Sequence, residues 1–150
     1  MPEATAGYLF GIFDLFQIAH LDTIRLAEAA CDRLIVGVAS DELVEHTCGV
    51  RPFVPAIERI EIVTAVKAIV QVDVLETLDV QAEAARAGAH LVFVPGEELD
   101  AVQRAALNAW SSTPSAWSGV SLTRLGPGRR TASAQVRDAL AGTTTRSSVA

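Results

Sequence analysis

The chain of 150 residues contains no long unbroken apolar run, although half of its residues are hydrophobic. A charge, Gly or Pro interrupts every apolar stretch well short of the roughly 18–20 residues that a membrane-spanning helix needs. Cysteine is scarce as well. The two cysteines, Cys31 and Cys48, show no paired spacing, which argues against a disulfide framework or a cysteine zinc site. Both read as ordinary reduced thiols of a cytoplasmic protein. Lysine is scarcer still, with Lys67 the sole example, so nearly all positive charge is Arg, the better bidentate partner for phosphate. Positive charge does not dominate: the net charge is −6, which gives no general attraction for nucleic acid. Met1 to Thr5 lacks a basic segment leading into an apolar one, so no signal peptide is expected. No internal repeat is present.

What the chain does have is short blocks of Val, Ile and Leu, with a mean hydropathy of +0.32. Such blocks are characteristic of buried parallel strands covered on both faces. Strands are expected over residues 6–10, 34–38, 70–75, 91–94 and 120–125. Helices are expected over 18–30, 55–67, 80–87, 100–110 and 131–140, by apolar spacing such as Ile18, Leu21 and Ile24. Ser40-Asp41-Glu42 reads as a helix cap with acids in the first turn. Residues 47–54 and 111–118 read as loops. Strands alternating with helices predict a doubly wound α/β sheet that binds ligands beyond the carboxyl ends of its strands. A single domain over 1–141 with a polar tail over 142–150 is expected.

The chemistry concentrates where the first strand meets the first helix, at Gly11-Ile12-Phe13-Asp14-Leu15-Phe16-Gln17-Ile18-Ala19-His20. A helix N-terminus offers free N–H groups and positive potential to an anion. His20 lies in that first turn, and Gln17 lies about one turn earlier with an amide to donate. On spacing alone, His20 serves equally well as a surface histidine and Gln17 as a loop residue.

This stretch resembles the HxGH signature of the nucleotidylyltransferase superfamily, and within it the glycerol-3-phosphate cytidylyltransferase type, whose text runs roughly G-x-F-D-L-F-H-x-G-H-L. The likeness continues through Cys31 to Glu42, through Arg51-Pro52-Phe53-Val54-Pro55 with Glu58-Arg59, and through Val70 to Asp73. Past residue 75 it thins to Val94-Pro95-Gly96-Glu97 and residues 130–137. The resemblance implies a single Rossmann-like, five-stranded parallel sheet with helices on both faces. It implies transfer of CMP from CTP to a small phosphorylated or phosphonate alcohol such as glycerol 3-phosphate. Pyrophosphate leaves, Mg²⁺ accompanies the nucleotide, and a homodimer is expected.

By the same resemblance His20 holds an α-phosphate oxygen, with Gln17 as its partner where the family has histidine. Glutamine donates a hydrogen bond but carries no charge, and loss of a charge-assisted donor costs on the order of 10²–10³ in rate. Arg59 is expected to grip the β- and γ-phosphates; its alternative is a surface arginine paired with Glu58 or Glu61. Arg51 stands where the family usually has a phosphate-binding lysine, or else is a solvated loop residue. Gly11, Ile12 and Phe13, with Gly96 and Glu97, are expected against the nucleotide. Asp14 belongs beside the acceptor, or is a turn-forming Asp. Thr131, Ser133 and Arg137 correspond to the last-helix motif I-S-S/T-T-x-x-R, with two hydroxyls missing. Gln17 and that reduced motif keep open a nucleotide-binding protein with little or no catalysis, and an ATP-using adenylyltransferase is a third expectation.

Overall fold

The structure is a computed structural model, and it describes residues 3–112, 119–128 and 139. Five strands, β1 (Ala6–Gly11), β2 (Arg33–Ala39), β3 (Ile69–Leu75), β4 (Leu91–Val94) and β5 (Ser121–Arg124), form one sheet in the order β3-β2-β1-β4-β5. Every pairing is parallel. The central strand β1 is buried along its whole length, which is why AGYLFG carries no charge. Tyr8 is its one hydroxyl, and it finds no partner among the described residues. Burial, then the nearby charges of Glu83 and Asp73, push that phenol above its ordinary pKa. Gly37 of β2 makes room for it, since a Cβ there would sit 2.1 Å from the Tyr8 oxygen.

The helices are α1 (Ile18–Ala29), α2 (Asp41–Cys48), α3 (Ala56–Thr64), α4 (Val80–Arg86) and α5 (Ala101–Ser112). One core layer joins Ile24 and Ala27 of α1 and Val63 of α3 to Leu9, Val36 and Phe93 of the sheet. The other joins Leu43 of α2, Val80 of α4 and Val102 of α5 to Tyr8, Ile35 and Val92. The two layers are the covered faces that the unbroken Val/Ile/Leu strands require.

Element bounds shift from the expected ones for local reasons. Thr47 and Cys48, expected in a loop, complete α2, their side chains donating to Leu43 O and Val44 O. That helix stops at Gly49, whose φ of 83° lies in the left-handed region glycine tolerates. The helix expected to reach Lys67 ends at Thr64, because Ala65 and Val66 turn tightly on Ile62 O and Val63 O to deliver Ile69 to β3. The helix expected over 131–140 and the tail over 142–150 lie outside the described residues. Among the described residues no helix is long and apolar enough to cross a membrane.

Candidate active site

The strand order reverses direction between β1 and β4, so the segments leaving their carboxyl ends diverge and open a crevice. A cleft of about 420 Å³ lies there. One wall is the 13–20 segment with Phe13, Asp14, Gln17 and His20. The other is the 95–100 segment with Gly96, Glu97 and Asp100, and Leu125, Gly126 and Gly128 close the end beyond β5.

His20 is the third residue of α1, and its ring closes the start of that helix. Gln17 N–H donates to His20 Nδ1 at 2.9 Å, while Gln17 O accepts from the backbone of His20 and Leu21. Nδ1 therefore presents a lone pair, and the neutral ring carries its proton on Nε2. The ring is tilted against Phe13 and Phe16, with centroids at 5.7 and 5.4 Å. The ring so held lines the cleft wall. The Gln17 N–H contact is one arm of a capping box whose other arm runs from the His20 backbone to the Gln17 side chain.

The wall is held in an unusual conformation. Phe13 and Leu15 have φ of 55° and 48°, a region that costs a non-glycine residue roughly 1–3 kcal/mol each. The surroundings over-determine it. Asp14 accepts from Phe53 N–H at 2.8 Å and Val54 N–H at 2.9 Å, which ties the first loop to the segment before α3. Asp14 lines the cleft, yet both of its carboxylate oxygens are engaged in this tie.

Arg59 corrects both of its expected roles. It is neither on the surface nor on the cleft wall; its side chain is fully buried. Nε donates to Val54 O at 2.8 Å, Nη1 to Ile12 O at 2.6 Å and Ala39 O at 2.8 Å, and Nη2 to Asp41 Oδ1 at 2.7 Å. A buried guanidinium is tolerated only when paired in this way, so it locks the loops after β1 and β2 to α3. Asp41 responds in turn. Partial burial would raise its carboxyl, but the Arg59 bond, the Ala56 N–H and the charges of Arg59 and Arg51 outweigh this and lower it. Arg51 is exposed and pairs with Glu45 at 2.9 Å and Glu42 at 3.7 Å on α2, apart from the residues that line the cleft.

Gly11 and Ile12, expected against the nucleotide, lie beneath the cleft. Ile12 N–H donates to Asp100 Oδ2 at 2.9 Å, so this amide is committed to protein and not to phosphate. A Cβ on Gly11 would come within 3.0 Å of Asp100 Oδ2 and Gln103 Nε2. Phe13, Gly96 and Glu97 do line the cleft. Gly96 is there because the backbone crosses closely: a Cβ would lie 2.2 Å from Leu125 O. Thr131, Ser133 and Arg137 lie outside the described residues.

Asp100 and Gln103 are the site residues that the sequence reading passed over. They form a reciprocal capping box at the start of α5, Gln103 N–H to Asp100 Oδ1 at 2.8 Å and Asp100 N–H to Gln103 Oε1 at 2.9 Å. The signal was readable as D-x-x-Q ahead of an apolar-periodic run. Burial raises the Asp100 carboxyl above its ordinary range, against the lowering effect of N–H bonds from Gln103, Ile12 and Val102 and the charge of Arg104. With Asp14, Asp22, Glu97 and Glu98 it gives the described lining a negative character, and that lining includes no Arg or Lys. Among the described residues no three of His, Cys, Asp and Glu are grouped to hold a metal ion.

A Rossmann-like sheet with a histidine in the first turn of the helix after β1 defines the class by its fold. The comparisons make it specific: the cytidylyltransferase-like family model matches residues 8–113, and the chain belongs to that family. Its curated relatives match over shorter stretches. It is 39% identical over 64 residues to the bifunctional protein HldE of Rhodopseudomonas palustris, covering 42% of this chain and 13% of that protein. It is 42% identical over 60 residues to the ethanolamine-phosphate cytidylyltransferase of Arabidopsis thaliana, covering 40% and 14%. It is 37% identical over 57 residues to the FAD synthase of Pyrococcus abyssi, covering 38% of each. These matches thus span well under half of the relatives' own lengths. Among solved structures, the lipopolysaccharide core biosynthesis protein of Thermoplasma volcanium superposes with a TM-score of 0.68 at 16% identity, covering 85% of this chain and all of that one. That likeness concerns the fold.

Proposed function

We propose that this chain transfers a nucleoside monophosphate, CMP from CTP, to a small phosphorylated alcohol such as glycerol 3-phosphate. An acceptor phosphate oxygen attacks the α-phosphorus. The bond from that phosphorus to the bridging oxygen breaks, and pyrophosphate leaves. The observation that carries the reading is His20, fixed by Gln17 N–H so that its Nε2 proton is a donor on the cleft wall. A preoriented donor near charge that builds in the transition state lowers the barrier without reorganisation. The relative named for ethanolamine phosphate supports a cytidylyl donor and a phosphorylated alcohol.

Mg²⁺ would enter as the counter-ion of the nucleotide, since the described residues offer no metal-holding group of their own. Asp22, Glu97 and Glu98 give the wall negative charge, which a bare triphosphate would meet unfavourably and a magnesium complex more gently. The same acidity, with Gln17 in place of a charged partner, favours a second reading: a protein that holds nucleotide with little turnover. The FAD synthase relative keeps ATP as an alternative donor, since FAD contains an AMP unit.

The test is pyrophosphate release with Mg²⁺ and either CTP or ATP, against glycerol 3-phosphate, ethanolamine phosphate and FMN. Release with CTP and a phosphorylated alcohol is expected. Release with ATP alone transfers the chain to the adenylyl reading. Thermal stabilisation by CTP without release from any acceptor selects the binding reading, a ligand at ~100-fold over its Kd adding about 2.7 kcal/mol.

A further inference from the structure

The two walls of the cleft rest on one strand. Ile12 is gripped from both sides, its N–H by Asp100 and its C=O by Arg59. Two residues earlier, Phe10 O accepts from Gln103 Nε2 at 2.9 Å in a buried bond. A capping box needs only the reciprocal bonds between its own two residues. Asp100 and Gln103 make those and then reach further, one to each side of Gly11, to the end of β1. Gly11 itself has no Cβ, and one would crowd both side chains at 3.0 Å. Arg59 makes no such link to the 95–99 segment, because its partners are Ile12, Ala39, Asp41 and Val54.

We propose that Asp100 and Gln103 are positioning residues for nucleotidyl transfer, setting the distance between the His20 wall and the 95–99 wall. The inference rests on the reading of the cleft as the nucleotide site. Asp100 begins the helix that follows the 95–99 segment, and Ile12 begins the loop that leads to His20. A bond between the two fixes how far a nucleotide held by one wall sits from the donor on the other. Burial of the Asp100 carboxylate among N–H groups keeps this link short and directional. Displacement of about 1 Å at a reacting centre can cost on the order of 10²-fold in rate.

Two variants separate positioning from capping. Asp100→Ser keeps a good N-cap, but its single short oxygen serves Gln103 N–H and leaves Ile12 N–H without its partner. Gln103→Glu keeps the acceptor for Asp100 N–H and removes the donor to Phe10 O. The full chain is assayed for pyrophosphate release from CTP, for CTP binding by calorimetry, and for amide exchange by mass spectrometry. The expected result is cooperative unfolding like the parent's, with faster exchange confined to residues 10–17. The kcat falls about 10- to 100-fold while KM for CTP moves less than about three-fold. Unchanged kcat in either folded variant overturns the proposal, as does exchange that quickens evenly along the chain. Failure of both variants to fold also overturns it, by making the pair structural. A parent chain that neither binds nor turns over CTP or ATP instead overturns the nucleotide reading, while local exchange in the variants still reports on the link.

Discussion

Two helices begin at this cleft, each with a capping box, and the boxes differ in setting. At α1 the cap is half-exposed, and the ring of His20 supplies it by accepting Gln17 N–H. At α5 the cap is part-buried and bonded onward to Phe10 of β1 and to Ile12 just beyond it. The first arrangement sits at the cleft, where His20 lines the wall. The second consumes the polar atoms of both its residues in holding backbone. The difference teaches how this fold divides labour: one helix start presents a donor, the other sets where the donor stands. Arg59 holds the other side of Ile12, through its C=O.

The most severe way to break the comparison is from below. Arg59→Met leaves Asp41 and three carbonyls without their partner and should cost about 3–5 kcal/mol in a urea titration, the usual penalty for breaking a buried ion pair. His20→Ala attacks only the presenting side. Turnover should fall on the order of 10²–10³-fold, while stability drops by about 1 kcal/mol, the value of a helix cap. A large loss of stability in that variant would place His20 with the holding residues.

Gly96→Ala tests the far wall. Its Cβ would meet Leu125 O at 2.2 Å, so calorimetry should show a loss of about 1–3 kcal/mol from overpacking. Acid then sharpens the contrast between the carboxylates of the two regions. The folded Asp41 titrates below its ordinary value near 3.8, so its stabilisation is present above that value and is lost as pH falls through the depressed one. Asp100 is raised, so its contribution is complete below its ordinary value and declines as pH rises through the folded one. The stability gap between the parent and Arg59→Met should therefore shrink on acidification, and a gap independent of pH would argue against the pairing. Arg51→Ala is expected to do least, within about 0.5 kcal/mol, since its ion pairs are exposed.

The layers of this fold were legible because period and composition encode them. Leu34 to Val38 and Leu91 to Val94 read as buried strands, and the sheet uses them so. The motif around His20 was legible as well, since a strand running into a helix start is a local event. What stayed hidden depends on backbone C=O and N–H groups, which have no letter in a sequence. Arg59 was taken for a phosphate ligand because nothing in its neighbours reveals Ile12 O and Ala39 O, 47 and 20 residues away. Asp14 binds N–H groups 39 and 40 residues along the chain. Asp100 carried a readable local signal in its capping box, but its bond to Ile12 spans 88 residues and follows from the parallel crossover rather than from spacing.

The central claim is that His20 faces the nucleotide as a neutral Nε2–H donor, and nitrogen-15 NMR of the imidazole tests it directly. At about pH 8, where an unperturbed ring is neutral, His20 should show the proton on Nε2, and addition of CTP with Mg²⁺ should shift that nitrogen. A proton found on Nδ1, or an Nε2 signal indifferent to both CTP and ATP, would contradict the account.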